Sequence, residues 1–215
     1  MKKLCMLFAA IMTVITVILF SCGVDPMQNV SERRSGYYTA AADGFTLTAV
    51  SGVRETKFEA DGKIDGGNGK IVSYTLITLV PDEFDIDAVI TYTAQADGCT
   101  FGGSMTVHPF AASFSAEFEH ETTADEFSVT VRCAGSDRTF TLKSAVTSDM
   151  LTFDRAISAA KSELAPRGEY EIRARLIKNP FETDGICWHV TFIYAGGTTG
   201  GVLLDPVSAK VLAKK

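Results

Sequence analysis

Two modules are predicted: an all-β N-terminal domain, built as an antiparallel sandwich, and an α+β C-terminal domain with one helix on a small antiparallel sheet. Three observations predict this. From Tyr37 to Ser148 the chain runs in short alternating apolar and polar stretches cut by turn residues, the pattern of strands half-buried on one face. At Asp149 the apolar period lengthens from two residues to that of a helix, and strands then return. Charge divides at the same point, with 9 basic and 18 acidic residues between Cys22 and Ser148 against 9 and 8 between Asp149 and Lys215.

Residues 1–21 read as an export leader. Met1, Lys2 and Lys3 give a positive start, and Leu4 to Phe20 run without a charge, the build of a secretory signal. Leu19-Phe20-Ser21-Cys22 resembles the lipobox of bacterial prolipoproteins, with an aliphatic residue three before the cysteine and a small one just before it. That resemblance implies a diacylglycerol on the Cys22 thiol, cleavage before Cys22, and membrane lipid as a partner. Thiolate nucleophilicity is the reason a cysteine is needed, and two acyl chains hold what one would release. Phe20 is larger than the residue usual there, which keeps a retained membrane helix as the alternative. Residues 22–36, rich in polar and charged side chains, read as a flexible tether.

Strands follow in order through residues 37–148. Phe45, Leu47 and Ala49 alternate with threonines; Phe58 precedes an Asp61-Gly62 turn; Ile71 to Val80 is rich in β-branched residues. Ile86, Ala88, Ile90 and Tyr92 alternate again, and Asp97-Gly98 turns the chain toward Phe101, Met105 and Val107. Phe114, Ala116 and Phe118 form a further strand, and Phe127–Cys133 with Thr139–Leu142 a hairpin turned at Gly135-Ser136-Asp137. Cys99 and Cys133 fall in phase with inward residues, consistent with a cross-sheet disulfide or, by default, two buried free thiols.

In residues 149–215 the stripe Phe153, Ala156, Ile157, Ala160 and Leu164 predicts one helix, with Thr152 at its N-cap and Pro166 and Gly168 ending it. Tyr170, Ile172, Ala174 and Leu176 then share a strand face, as do Ile186, Trp188, Val190, Phe192 and Tyr194. Gly196-Gly197 turns the chain into Val202–Leu204, and Asp205-Pro206 opens the last turn before Val211-Leu212.

That helix, the Trp188-x-Val190-x-Phe192 strand and the closing run from Asp205 to Leu212 resemble the PepSY domain of bacterial envelope proteins over roughly residues 150–214. The resemblance implies a helix lying on a small antiparallel sheet. It also implies a role in inhibiting or regulating an envelope peptidase through the sheet of residues 169–212. Ala209 stands where that family has glycine, so the turn must avoid a left-handed residue there or strain to hold one.

Chemical signatures are sparse. There is no His-Glu-x-x-His, Gly-x-Ser-x-Gly, Walker or dinucleotide motif, and the chain has only 3 histidines, which narrows general-base and zinc chemistry. The sequence therefore reads as a binding protein rather than an enzyme, with no cofactor and no metal. A hydrolase would need scattered carboxylates such as Glu117, Glu119 and Asp205 to converge. The net charge of −6 argues against nucleic acid. Glu117, Glu119 and Glu121 share a strand face and read as a solvated row rather than a calcium site; Cys187 and His189 share another, but two ligands do not make a site. The candidate peptide or partner face is Glu171, Arg173, Arg175, His189 and Thr191, the side of the small sheet away from the helix. The expected molecule is an extracytoplasmic lipoprotein on the cell envelope. It would regulate a peptidase or bind another envelope protein, or else be a structural or ligand-binding lipoprotein whose β domain carries the interaction.

Overall fold

A computed structural model describes residues 29–56, 59–60, 63–64, 70–108, 110–183 and 185–215. The expected leader, Cys22, residues 22–28 of the tether and the Asp61-Gly62 turn lie outside the described residues.

Strands run β1 (Val30–Ala42), β2 (Phe45–Thr56), β3 (Glu59–Ala60), β4 (Lys63–Ile64), β5 (Lys70–Pro81), β6 (Ile90–Ala96), β7 (Cys99–Ser104) and β8 (Thr106–Val107). They continue as β9 (Phe114–Phe118), β10 (Glu126–Cys133) and β11 (Ser136–Ser144). After helix α1 (Phe153–Leu164) come β12 (Tyr170–Lys178), β13 (Ile186–Tyr194), β14 (Thr199–Leu204) and β15 (Val211–Lys214).

The expected sandwich is corrected to a nearly closed barrel, and the expected separate α+β domain to an extension of the same sheet. Strands pair in the order β7-β6-β10-β11-β1-β2-β5-β9-β8, and β7 comes back into contact with β9. Alternation specifies one inward and one outward face for each strand, which one curled sheet and two facing sheets satisfy equally; the pattern therefore could not separate them. Inward residues Tyr38, Leu47, Ala49, Ile77, Leu79, Phe114, Val129 and Leu142 form the first core.

The junction is β1. One of its edges pairs along its length with β2, while the other takes β12 in parallel at Val30–Arg34 and β11 antiparallel at Tyr38 and Thr39. Residues 30–36, expected to continue the tether, are thus sheet. Their charges suggested solvent, but Glu32 meets Arg34 and Arg175, and Arg33 meets Glu121, so charged side chains enter a strand by being paired. Two irregularities in β1, at Val30/Glu32 and Arg34/Gly36, let it serve both neighbours. At the second, a Cβ on Gly52 would lie 2.0 Å from the Arg33 carbonyl oxygen, so only glycine fits.

A second core lies under α1. Ala156, Ile157 and Ala160 pack on Ile172, Ala174, Leu176, Trp188, Val190, Phe192, Val202 and Leu204, the stripe and strand faces that the periodicity predicted. Trp188 Nε1 donates to the Leu151 carbonyl at 3.1 Å. Thr152 takes the extended N-cap conformation without a capping side-chain bond, and Ala165 closes the helix left-handed at φ 41°. Among the described residues no helix is long and apolar enough to cross a membrane.

Ile86 and Ala88 were expected to begin a strand with Ile90. The strand starts at Ile90, and Ile86 lies exposed in the preceding loop.

Candidate functional site

Register brings the predicted face together. Glu171 stands opposite Ile193, Arg173 opposite Thr191 and Arg175 opposite His189. Alternate residues of the same strands fill the second core, so these side chains project from the side away from α1. The face continues onto β1, where Glu32 and Arg34 pair with Arg173 and Arg175, and onto β14, where Gly201 and Leu203 pair with Thr191 and His189.

Its inner half is closed by ion pairs. Glu32, only 7% exposed, accepts from Tyr74 Oη at 2.8 Å, from Arg34 Nη2 at 3.2 Å and from Arg175 Nη2. Burial alone would raise its pKa, but the guanidinium of Arg175, with Tyr74 and Arg34, outweighs burial and holds it below the ordinary carboxylate value. Glu171 accepts from Ser31 Oγ and from Arg173 Nε. Arg173 and Arg175 are therefore tied to carboxylates within the chain.

The outer half is open. A groove of about 460 Å³ crosses β13, β14 and β15, with Ile177, Leu203 and Ala213 among its apolar lining and His189 and Thr191 at its polar side. His189 Nε2 and Thr191 Oγ1 lie 3.1 Å apart. Burial, reinforced by the positive charge of Arg175, lowers the His189 pKa, so its ring is neutral at pH 7. Gly201 helps to make the room: a Cβ there would stand 3.4 Å from His189 Nε2. Gly200-Gly201 inside a strand pattern marks a close approach without naming the strand opposite. The Glu32 hub left no sequence signal, because Glu32, Tyr74 and Arg175 are far apart in the chain.

Other candidates resolve locally. Glu117 pairs with Arg54 at 2.6 Å, and Arg33 donates from Nη2 to both Glu121 oxygens at 2.9 Å, so arginines answer two members of the carboxylate row. Asp205 spends its Oδ1 on its own turn, accepting from Ser208 N and Oγ at 2.7 Å each, whereas Glu117 stands on the barrel wall in β9. Cys187 is fully buried, and its thiol is pushed up to about 11 by burial and by Glu182. Among the described residues no group of histidine, cysteine and carboxylate side chains could hold a metal ion. Cys133 pairs opposite Ile90 and Cys99 opposite Ala96, so the two thiols sit at opposite ends of β6 and both are free; Cys99, expected inward, is exposed.

No known protein family, no curated protein and no solved structure matches this chain.

Proposed function

We propose that this chain is an extracytoplasmic lipoprotein, held at the cell envelope by acylated Cys22, that binds an extended segment of another envelope protein. A peptidase is the partner class implied by the PepSY resemblance. The observation that carries the binding reading is the groove beside β15, since β15 is the last strand of the sheet and pairs, among the described residues, only with β14. A segment laid along that edge would satisfy the backbone groups of β15 and place alternate side chains on the groove's apolar floor. His189 and Thr191 would then give polar contacts at its side, while the Arg175 pair with Glu32 and the Ser31 hydrogen bond to Glu171 fasten β12 to β1 behind them.

The leader composition and the Leu19–Cys22 stretch support the anchoring half of the reading. Photo-crosslinking in intact envelopes tests both halves, with the crosslinker at Ala213. Wild type should yield a discrete adduct that a proline at Leu212 in the edge strand removes, and Cys22→Ser should leave the membrane fraction. An adduct unchanged by the proline would sink the edge-binding idea, and a Cys22→Ser protein that stays membrane-bound would sink the anchor.

A further inference from the structure

The far end of the barrel carries a second surface that the groove reading does not use. The loop between β5 and β6, residues 82–89, and the described part of the loop between β8 and β9, residues 108 and 110–113, both leave this end, where Leu79 and Val107 flank Phe114. Phe84 packs on Phe114 with ring centroids 5.3 Å apart, and Phe114 pairs with both Leu79 and Val107. The amide of Asp82 donates to the Gly44 carbonyl at 2.8 Å, fastening the first loop to the β1–β2 turn. Phe84 thus holds the loops in place, while Phe110, Val89 and Ile86 stand 93%, 80% and 64% exposed. Three large apolar side chains exposed at one end of the barrel are more than the single surface residues that need no explanation.

Charge says what would cover it. Asp82, Glu83, Asp85 and Asp87 alternate with these apolar residues, and none is in an ion pair among the described residues. From Ile71 to Val131 the chain has 10 acidic residues and no lysine or arginine, and the cation that the fold brings beside them, Arg138, lies over the Phe45 ring at 4.6 Å, so the tip stays acidic in balance. A second copy meeting tip to tip would set carboxylates against carboxylates, and an anionic bilayer would be repelled. We infer that the loop tip formed by Ile86, Val89 and Phe110 docks a cationic protein segment that carries apolar side chains. The site lies where β1 ends at Ala42, 8 residues beyond Arg34, the last to pair with β12, about 26 Å at roughly 3.3 Å per residue. Tip and groove are therefore separate sites that can be occupied at once.

The probes are three synthetic peptides of equal length, alternating Lys/Leu, Lys/Ser and Glu/Leu, titrated against the full chain in nonionic detergent by fluorescence anisotropy. The Lys/Leu peptide should bind, and Val89→Ser with Phe110→Ser should weaken it about tenfold while leaving the melting temperature in place, because both side chains are exposed. Asp85→Asn with Asp87→Asn should weaken it comparably, and added salt should do the same to wild type. Lys/Ser should bind more weakly and ignore the serine substitutions. The inference is overturned if Lys/Leu does not bind, if Lys/Ser or Glu/Leu binds as tightly, or if the serine pair changes nothing. Self-association in sedimentation that the serine pair abolishes would also overturn it, by naming a second copy as the occupant.

Discussion

Tyr37 and Tyr38 are consecutive in β1 yet bury in different cores, Tyr38 inside the barrel and Tyr37 beneath the helix-covered extension. Their cross-strand partners divide in the same way: Ala49 opposite Tyr38 belongs to the first core, and Val50 opposite Tyr37 packs against the second. One ribbon of β1 and β2 is therefore a wall common to both cores, so neither core can lose it without exposing the other.

Cooperative unfolding follows. Trp188, the only tryptophan, sits in the second core, so its fluorescence reports that core, while far-UV circular dichroism is dominated by the barrel strands. The two urea transitions should coincide. A fragment of residues 149–215 should stay unfolded, since it lacks β1 as the parallel partner of β12 and loses Tyr37, Val30 and Val50. Separated transitions, or a folded fragment, would show two independent domains.

Gly52→Ala tests the β1 bend. With its Cβ forced to within 2.0 Å of the Arg33 carbonyl, β1 must move away from β2, at a cost of about 3 kcal/mol or more. Gly103→Ala is the matched control, because its nearest neighbour would be the Tyr92 ring at 3.6 Å, an ordinary contact, and it should change stability by less than about 1 kcal/mol. Chemical denaturation of both variants gives the comparison.

Ala209 holds φ 60° in the turn after β14, the left-handed conformation that costs an L-residue roughly 1–2 kcal/mol. The turn is fastened by Asp205, whose amide donates to the Lys210 carbonyl at 2.8 Å, so it cannot relax elsewhere. Ala209→Gly should therefore stabilise by up to about 1 kcal/mol after the added freedom of the unfolded chain is subtracted, read as a higher urea midpoint at unchanged slope.

Glu32 sets the acid limit of the junction. Its folded pKa lies below the ordinary value of 4.5, so the stabilisation is complete above 4.5 and is lost as pH falls through the lower folded value. Wild type should lose stability across that window more steeply than Glu32→Gln. At neutral pH the variant should be weaker by roughly 1–3 kcal/mol, tempered by the partial exposure of Arg34 and Arg175. Equal acid slopes would remove Glu32 from this role.

Local pattern was legible where one residue type has one solution. The α1 stripe and the inward faces of β9, β12 and β13 follow directly from period, because burying them needs no knowledge of the partner. Ser31 to Arg34 were misread because a charged run looks solvated until its partners, Arg175 and Glu121, arrive from more than 80 residues away. Ile86 was misread for the opposite reason: alternation predicts an inward side chain, and nothing local distinguishes a strand from a loop that displays the same alternation outward. Of the candidate face, residue placement was readable from strand parity, but the groove depends on Gly201 facing Thr191 across β13 and β14, a relation between strands.

His189 gives the same face a pH signature. Its pKa is lowered from 6.5 by burial and then by Arg175, so the native state keeps the ring neutral while the unfolded chain takes up a proton. Stability is full above 6.5 and falls as pH drops from there toward the lower folded value. Besides His189, the charged groups of the groove lining are Lys214, whose Nζ lies 3.8 Å from Glu163, and Lys215. His189→Gln should flatten the decline just below pH 6.5 and leave the shape of the curve above it unchanged. His108 and His120 are common to both proteins, so the difference between wild type and variant isolates His189. Urea midpoints measured on either side of 6.5 decide it, and parallel curves for the two proteins would show that the ring is not held neutral by its surroundings.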